Sequence, residues 1–181
     1  MNRKAETLLA ATEGLGAGAF VVEVGTMRFD HEVPSDGAST LFLAERAKER
    51  GWKFVSIDNS EAAILNARTV LVGRGLDDAV ELCLGDGEAM LARMPGYIDF
   101  LYLDGAADPR EALAQFMAAR GKFAYRAVVA VDDVQEIAGA GPQGKGSLLL
   151  DRARELGWDV EVRETEPGYL MAVLTCPRGR R

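Results

Sequence analysis

Acidic residues recur in this chain where apolar runs stop. Glu23 precedes Gly25 at the end of Phe20–Val24. Asp58 follows Lys53–Ile57, Asp86 follows Ala79–Leu84, Asp104 follows Ile98–Leu103, and Asp132–Asp133 follow Ala127–Val131. Carboxylates accept hydrogen bonds from hydroxyl groups and offer nothing to a phosphate. A rim built from them favours a cationic ligand with free hydroxyls over a phosphate-rich one.

Two further residues could move or hold a proton. His31 is the only histidine, in Arg28–Phe29–Asp30–His31–Glu32, and imidazole titrates near neutral pH. Lys145 lies in the glycine-rich run from Gly139 to Gly146. That run nearly matches a phosphate-binding loop, but it does not directly follow a strand and its hydroxyl place is Gly146. It reads instead as a lid over a substrate, with Lys145 available to touch an acidic group.

The elements that must position these residues follow from hydrophobic periodicity. Phe20–Val24 is continuously apolar apart from Glu23, as expected of a parallel strand buried on both faces. Gly25–Thr26 and then Gly37–Ala38–Ser39–Thr40 hand it to a helix over Ala38–Arg50. Lys53–Ile57 is a second strand, and Ser60 caps a helix whose Ala63, Ile64, Ala67, Val70 and Leu71 share one face. Ala79–Leu84 is a third strand, followed by Gly85–Asp86–Gly87 and a helix to Arg93. Ile98–Leu103 is a fourth, and Asp108–Pro109 opens the next helix. Ala127–Val131 is a fifth, with a helix over Ser147–Leu156 beyond the glycine-rich run. Asp159–Glu164 alternates, Tyr169–Thr175 is continuously apolar, and Pro167–Gly168 turns between them.

Five strand–helix units and a closing hairpin predict an α/β fold. The sheet is doubly wound and mostly parallel, seven-stranded, with a C-terminal antiparallel hairpin. The alternating strand suits an edge and the continuous one a place between two neighbours. One domain over 1–181 is expected, with 1–19 an N-terminal helix and linker and 177–181 a tail.

Of the 181 residues 48% are hydrophobic and 27% charged, and the net charge is −7. That balance opposes a nucleic-acid partner, which calls for a basic face. No apolar stretch is long enough to span a membrane. Cys83 and Cys176, with no secretion signal, read as packing residues in a reducing cytoplasm. In an open α/β sheet ligands bind beyond the carboxyl ends of the strands, where these acids sit, and S-adenosylmethionine matches such a rim better than a dinucleotide.

These residues together resemble the class I S-adenosylmethionine-dependent methyltransferases, whose Rossmann-like strand and helix order covers nearly the whole chain. The first motif of that family, an acid and two glycines, is filled by Glu23, Gly25 and Gly37. Gly37–Ala38–Ser39–Thr40 is similar to the small-molecule O-methyltransferases. There the resemblance implies that Ser39 binds the methionine carboxylate, Asp58 the ribose hydroxyls and Asp86 the adenine edge, with Thr26, Asn59, Gly87 and Asp104 completing the cofactor site.

The catechol-type branch also binds a divalent metal, which by resemblance places Mg²⁺ or Ca²⁺ on Asp104, Asp132 and Asp133. The implied activity is methyl transfer to a hydroxyl of a small molecule, with His31, Asp104 or Lys145 in catalytic roles. Two departures stand out. The loop from Gly25 to Gly37 is several residues longer than usual, and the place of that branch's lysine base is Ala107. Little N-terminal material is available to wall the substrate site, and a homodimer would supply that wall. The rival readings are an NAD(P)-dependent oxidoreductase, which needs a compact glycine fingerprint after the first strand, and a non-catalytic S-adenosylmethionine-binding protein on the same fold.

Overall fold

The computed structural model describes residues 3–28, 38–134 and 144–177. Among them a single sheet of seven strands runs in the order β3-β2-β1-β4-β5-β7-β6. The strands are β1 (Phe20–Val24), β2 (Lys53–Asp58), β3 (Glu81–Leu84), β4 (Ile98–Leu103), β5 (Phe123–Val131), β6 (Asp159–Glu166) and β7 (Tyr169–Thr175). The helices are α1 (Arg3–Thr12), α2 (Ala38–Arg50), α3 (Glu61–Arg74), α4 (Gly87–Arg93), α5 (Pro109–Ala119) and α6 (Gly146–Glu155).

The first five strands pair in parallel, and β7 runs antiparallel between β5 and β6. Chain order reverses at β1, which lies between β2 and β4. A crevice opens at such a reversal because the connections leave on opposite sides. The alternating strand β6 is the sheet edge and the apolar β7 is interior, as their patterns require.

Two cores form, one on each face. Val22 and Val24 of β1 pack with Ala112 and Phe116 of α5 and Leu149 and Ala153 of α6. Val21 points the other way, toward Leu8 of α1, Leu43 and Ala44 of α2 and Leu71 of α3. This is the period-two alternation of a strand serving two apolar layers.

Several boundaries differ from the pattern, each for a local reason. β3 begins at Glu81, because the Ala79 amide turns back to the Leu76 carbonyl at 3.0 Å and leaves the ladder. β5 begins earlier, at Phe123, and its first half is partly exposed, with Arg126 at φ 63° and a register shift against β4. An exposed, bulged segment carries no apolar signature. β6 continues to Glu166 through a second irregularity between Glu164 and Glu166. Among the described residues no helix is long and apolar enough to cross a membrane.

Candidate functional site

The carboxyl ends of β1 and β4 nearly touch. Gly25 has φ 97°, and a Cβ built on it would fall 2.6 Å from Gly105 Cα; one built on Gly105 would fall 2.8 Å from the Gly25 nitrogen. The Asp104 and Gly105 amides both donate to the Val24 carbonyl, at 2.9 and 2.7 Å. Glycine is required at Gly25 by both conformation and space. The result is a bare backbone floor at the sheet's reversal point.

Glu23 lies beneath that floor and is fully buried. Its Oε2 accepts from Ser56 Oγ at 2.6 Å and Thr40 Oγ1 at 2.8 Å, while Thr40 Oγ1 also accepts from the Met27 amide at 3.0 Å. The carboxylate therefore ties β1 to β2 and to the first turn of α2. Burial pushes its pKa up from 4.5 to about 7, against the pull of the Ser56, Thr40 and Ser39 hydroxyls. Its Oε1 has no hydrogen-bond partner among the described residues. Ser39 is buried in this layer, as is Thr26.

Asp58, at the end of β2, uses both oxygens on backbone. Oδ2 accepts the Thr26 amide at 3.0 Å and Oδ1 the Ser60 amide at 2.8 Å. The carboxylate is thus fixed in orientation at the crevice, beside the exposed Asn59. Asp86 caps α4 by accepting the Ala89 amide at 2.8 Å. Gly87 follows it in close contact: a Cβ there would meet Val24 Cγ1 at 2.7 Å. A small cleft lies among Gly25, Asp58, Gly85, Gly87, Gly105 and Gln115. Gln115 is buried, and its Oε1 lacks a partner among the described residues.

Asp104, Asp132 and Asp133 come together at the ends of β4 and β5, each offering an oxygen within 4.8 Å of the others. An oxygen-only set suits a hard divalent cation. Two ammonium groups already occupy these carboxylates. Lys4, on α1, stands 2.6 Å from Asp132 Oδ2 and 3.5 Å from Asp104 Oδ2. Lys145, at the start of α6, stands 2.8 Å from Asp104 Oδ1, 3.3 Å from Asp133 Oδ2 and 2.6 Å from the Asp104 carbonyl. Tyr102, fully buried, donates its hydroxyl to Asp132 Oδ2 at 3.0 Å. Asp133 reaches the cluster from a left-handed backbone, φ 52°, which aspartate tolerates better than most residues.

The electrostatics follow from this pairing. Burial pushes the Asp104 carboxyl up, but Lys4 and Lys145 together outweigh burial and hold it below its ordinary value. Asp132 is raised by burial and by the charge of Asp104, with Lys4 opposing. For Lys145, burial favours the neutral amine, yet Asp104 and Asp133 prevail and raise its pKa. A protonated amine with three acceptors around it has no lone pair with which to take a proton. The cluster as folded does not fit an added divalent ion, because the lysines would have to leave first.

Of the expected site residues, the fold brings Gly25, Thr26, Asp58, Asn59, Gly87, Asp104, Asp132, Asp133 and Lys145 to one end of the sheet. Asp86 is there as a helix cap, and Glu23 and Ser39 lie in the layer beneath. Gly37, His31 and the 139–143 part of the glycine-rich loop lie outside the described residues. Lys4, Tyr102 and Gln115 are additions that local sequence did not mark. The one available signal was Lys4 on the same face of α1 as Thr7, Leu8 and Thr12.

The sheet order, the antiparallel closing pair and the acidic crevice define a Rossmann-like methyltransferase fold. Residues 34–134 match the family model described as a methyltransferase domain. The chain belongs to that family. It is similar to the O-methyltransferase hkm8 of Aspergillus hancockii, 26% identical over 113 residues, which cover 62% of this chain and 42% of that protein. The matched part is thus less than half the length of that relative. A candidate rRNA methylase of Clostridium thermocellum superposes with a TM-score of 0.73 at 13% identity, over 97% of each chain. The O-methyltransferase TomG of Streptomyces achromogenes, involved in tomaymycin synthesis and solved with SAM, superposes with a TM-score of 0.68 at 19% identity, over 97% of this chain and 79% of its own. At such identities the structures attest the fold.

Proposed function

We propose that this protein is an S-adenosylmethionine-dependent methyltransferase directed to a hydroxyl of a small molecule. The observation that carries the reading is the Asp58 carboxylate, fixed by two backbone amides, in one cleft with Gly25 and Gly105. Asp58 has lone pairs left for ribose hydroxyls after its two backbone bonds. Gly25 and Gly105 line the same cleft as Asp58, and the buried Gln115 borders it.

S-adenosylmethionine supplies an electrophilic methyl group on a sulfonium. With that cofactor bound, the methyl group would pass to the acceptor oxygen, sulfur would leave as the neutral thioether, and the acceptor's proton would go to a base of this chain. The chain's part is to hold the reacting atoms in line and keep water out, which can supply much of the acceleration. Asp58 would orient the cofactor, Gly87 and Asp86 would border its base, and Ser39 at the start of α2 would stand with Thr26, just beyond β1, on its methionine side. Because Lys145 is held as an ammonium, His31 is the proposed proton acceptor. No step requires a metal.

An oxygen acceptor is supported by the relatives described as O-methyltransferases. A small acceptor is supported by the net charge of −7, since a nucleic acid would be repelled. The test is transfer of a labelled methyl group from S-adenosylmethionine to catechols, phenols and hydroxylated aliphatics, with RNA alongside. Label in a phenolic or alcoholic ether is the expected result. Label in RNA alone would replace the substrate assignment, and a lack of transfer to every acceptor would favour a non-catalytic binding protein.

A further inference from the structure

At the ends of β4 and β5, three carboxylates are met by two ammonium groups arriving from opposite faces of the sheet. Lys4 comes from α1, on the face shared with α2 and α3, and Lys145 from the start of α6 on the other. The two lysine side chains are only 10% and 15% exposed. Lysines this deep are stable only when paired. Here each carboxylate has an ammonium partner, and Asp104 has both. The Tyr102 hydroxyl adds a donor on Asp132, and the Lys4 ammonium stands 5.7 Å from the centre of the Tyr102 ring.

A Mg²⁺ or Ca²⁺ bound to these carboxylates would take the oxygens that the ammonium groups now hold. An ion at about 2.0 to 2.6 Å from those oxygens would also press a double positive charge against Nζ atoms that stand 2.6 and 2.8 Å from the same carboxylates. Ion and lysines are alternatives.

We propose that Lys4 and Lys145 stand in for a divalent cation, so that Asp104, Asp132 and Asp133 form an internally neutralised cluster and the protein binds no metal there. The positive charge at the rim is then built into the chain, delivered by two helices distant in sequence, and it pins α1 and α6 across the sheet ends. The consequence for catalysis, that the acceptor loses its proton without Lewis-acid help, rests on the methyltransferase reading. The statement about ion binding does not.

Thermal unfolding of the full chain with millimolar Mg²⁺ or Ca²⁺, alongside Tb³⁺ luminescence sensitised by Tyr102, tests the cluster without reference to activity. The wild type is expected to show no rise in Tm and no sensitised emission. Lys4→Met and Lys145→Met each uncover a carboxylate. Each is expected to gain Ca²⁺ binding, with Tm rising about 4 °C once the ion exceeds its dissociation constant tenfold. A wild type that Mg²⁺ or Ca²⁺ stabilises, with the effect lost in Asp133→Asn, would overturn the proposal. So would two folded variants that gain no ion affinity. If Lys4→Met fails to fold in every condition, Lys145→Met and the wild-type titration decide the matter. Methyl transfer in chelator separates the readings: absent ion binding with no transfer to any acceptor would sink the methyltransferase assignment and leave the cluster intact.

Discussion

Gly25 and Gly105 approach so closely that a Cβ on either would strike the other's backbone. Two strands that are neighbours in the sheet, β1 and β4, thereby end in a surface with no side chain on it. Gly25→Ala is expected to cost at least about 2 kcal/mol, combining overpacking with a left-handed backbone. Gly96 is the control: it also has positive φ, 82°, but nothing stands within 4 Å of its Cβ position. Chemical denaturation should show Gly25→Ala losing clearly more stability than Gly96→Ala. Equal losses would mean the floor can open at little cost.

Glu23 makes stability depend on pH. Its pKa is about 7 in the folded chain against an ordinary 4.5, so the folded state holds a proton that the unfolded state has released. The contribution is fully present below pH 4.5 and is lost as pH rises toward 7, in total on the order of 3 kcal/mol. Glu23→Gln cannot titrate. Its Tm should lack the decline seen in the wild type between those limits and run parallel to it above them. The same slope in both proteins would show that another group is responsible.

Asp86 is both a cap and an expected cofactor neighbour, and two substitutions separate these roles. Asp86→Ala removes the acceptor for the Ala89 amide and should destabilise by about 1 kcal/mol, whereas Asp86→Asn keeps a capping oxygen and should cost little. If both variants keep full affinity for S-adenosylmethionine, Asp86 serves the helix alone. A loss of affinity in Asp86→Asn would place its charge at the cofactor.

Much of the fold could be read from the chain because its signals are local. Uninterrupted apolar runs such as Phe20–Val24 and Tyr169–Thr175 mark interior strands, and the alternation of Asp159–Glu164 marks an edge. The acids at strand ends were equally visible. Lys4 was not: its partner Asp132 is far along the chain, and a lysine on a short N-terminal helix looks like a solvated charge. Lys145 was visible as a charged residue in a glycine-rich run, but only the fold sets it on Asp104. The first half of β5 was lost to pattern because it is exposed and bulged. Pairings across the sheet leave no trace in spacing, so Lys4 and the pairing of both lysines came from the structure, and the acids and Lys145 itself from the sequence.

Titration calorimetry with S-adenosylmethionine and NAD⁺ bears most directly on the central claim, that the crevice around Asp58 is a sulfonium-cofactor site. One site for S-adenosylmethionine and no heat with NAD⁺ is the predicted result. In Asp58→Asn, folded by circular dichroism, affinity for S-adenosylmethionine should fall at least about tenfold, because charge-assisted bonds to the ribose are lost. Binding of NAD⁺ without S-adenosylmethionine, or an Asp58→Asn variant with unchanged affinity, would contradict the account.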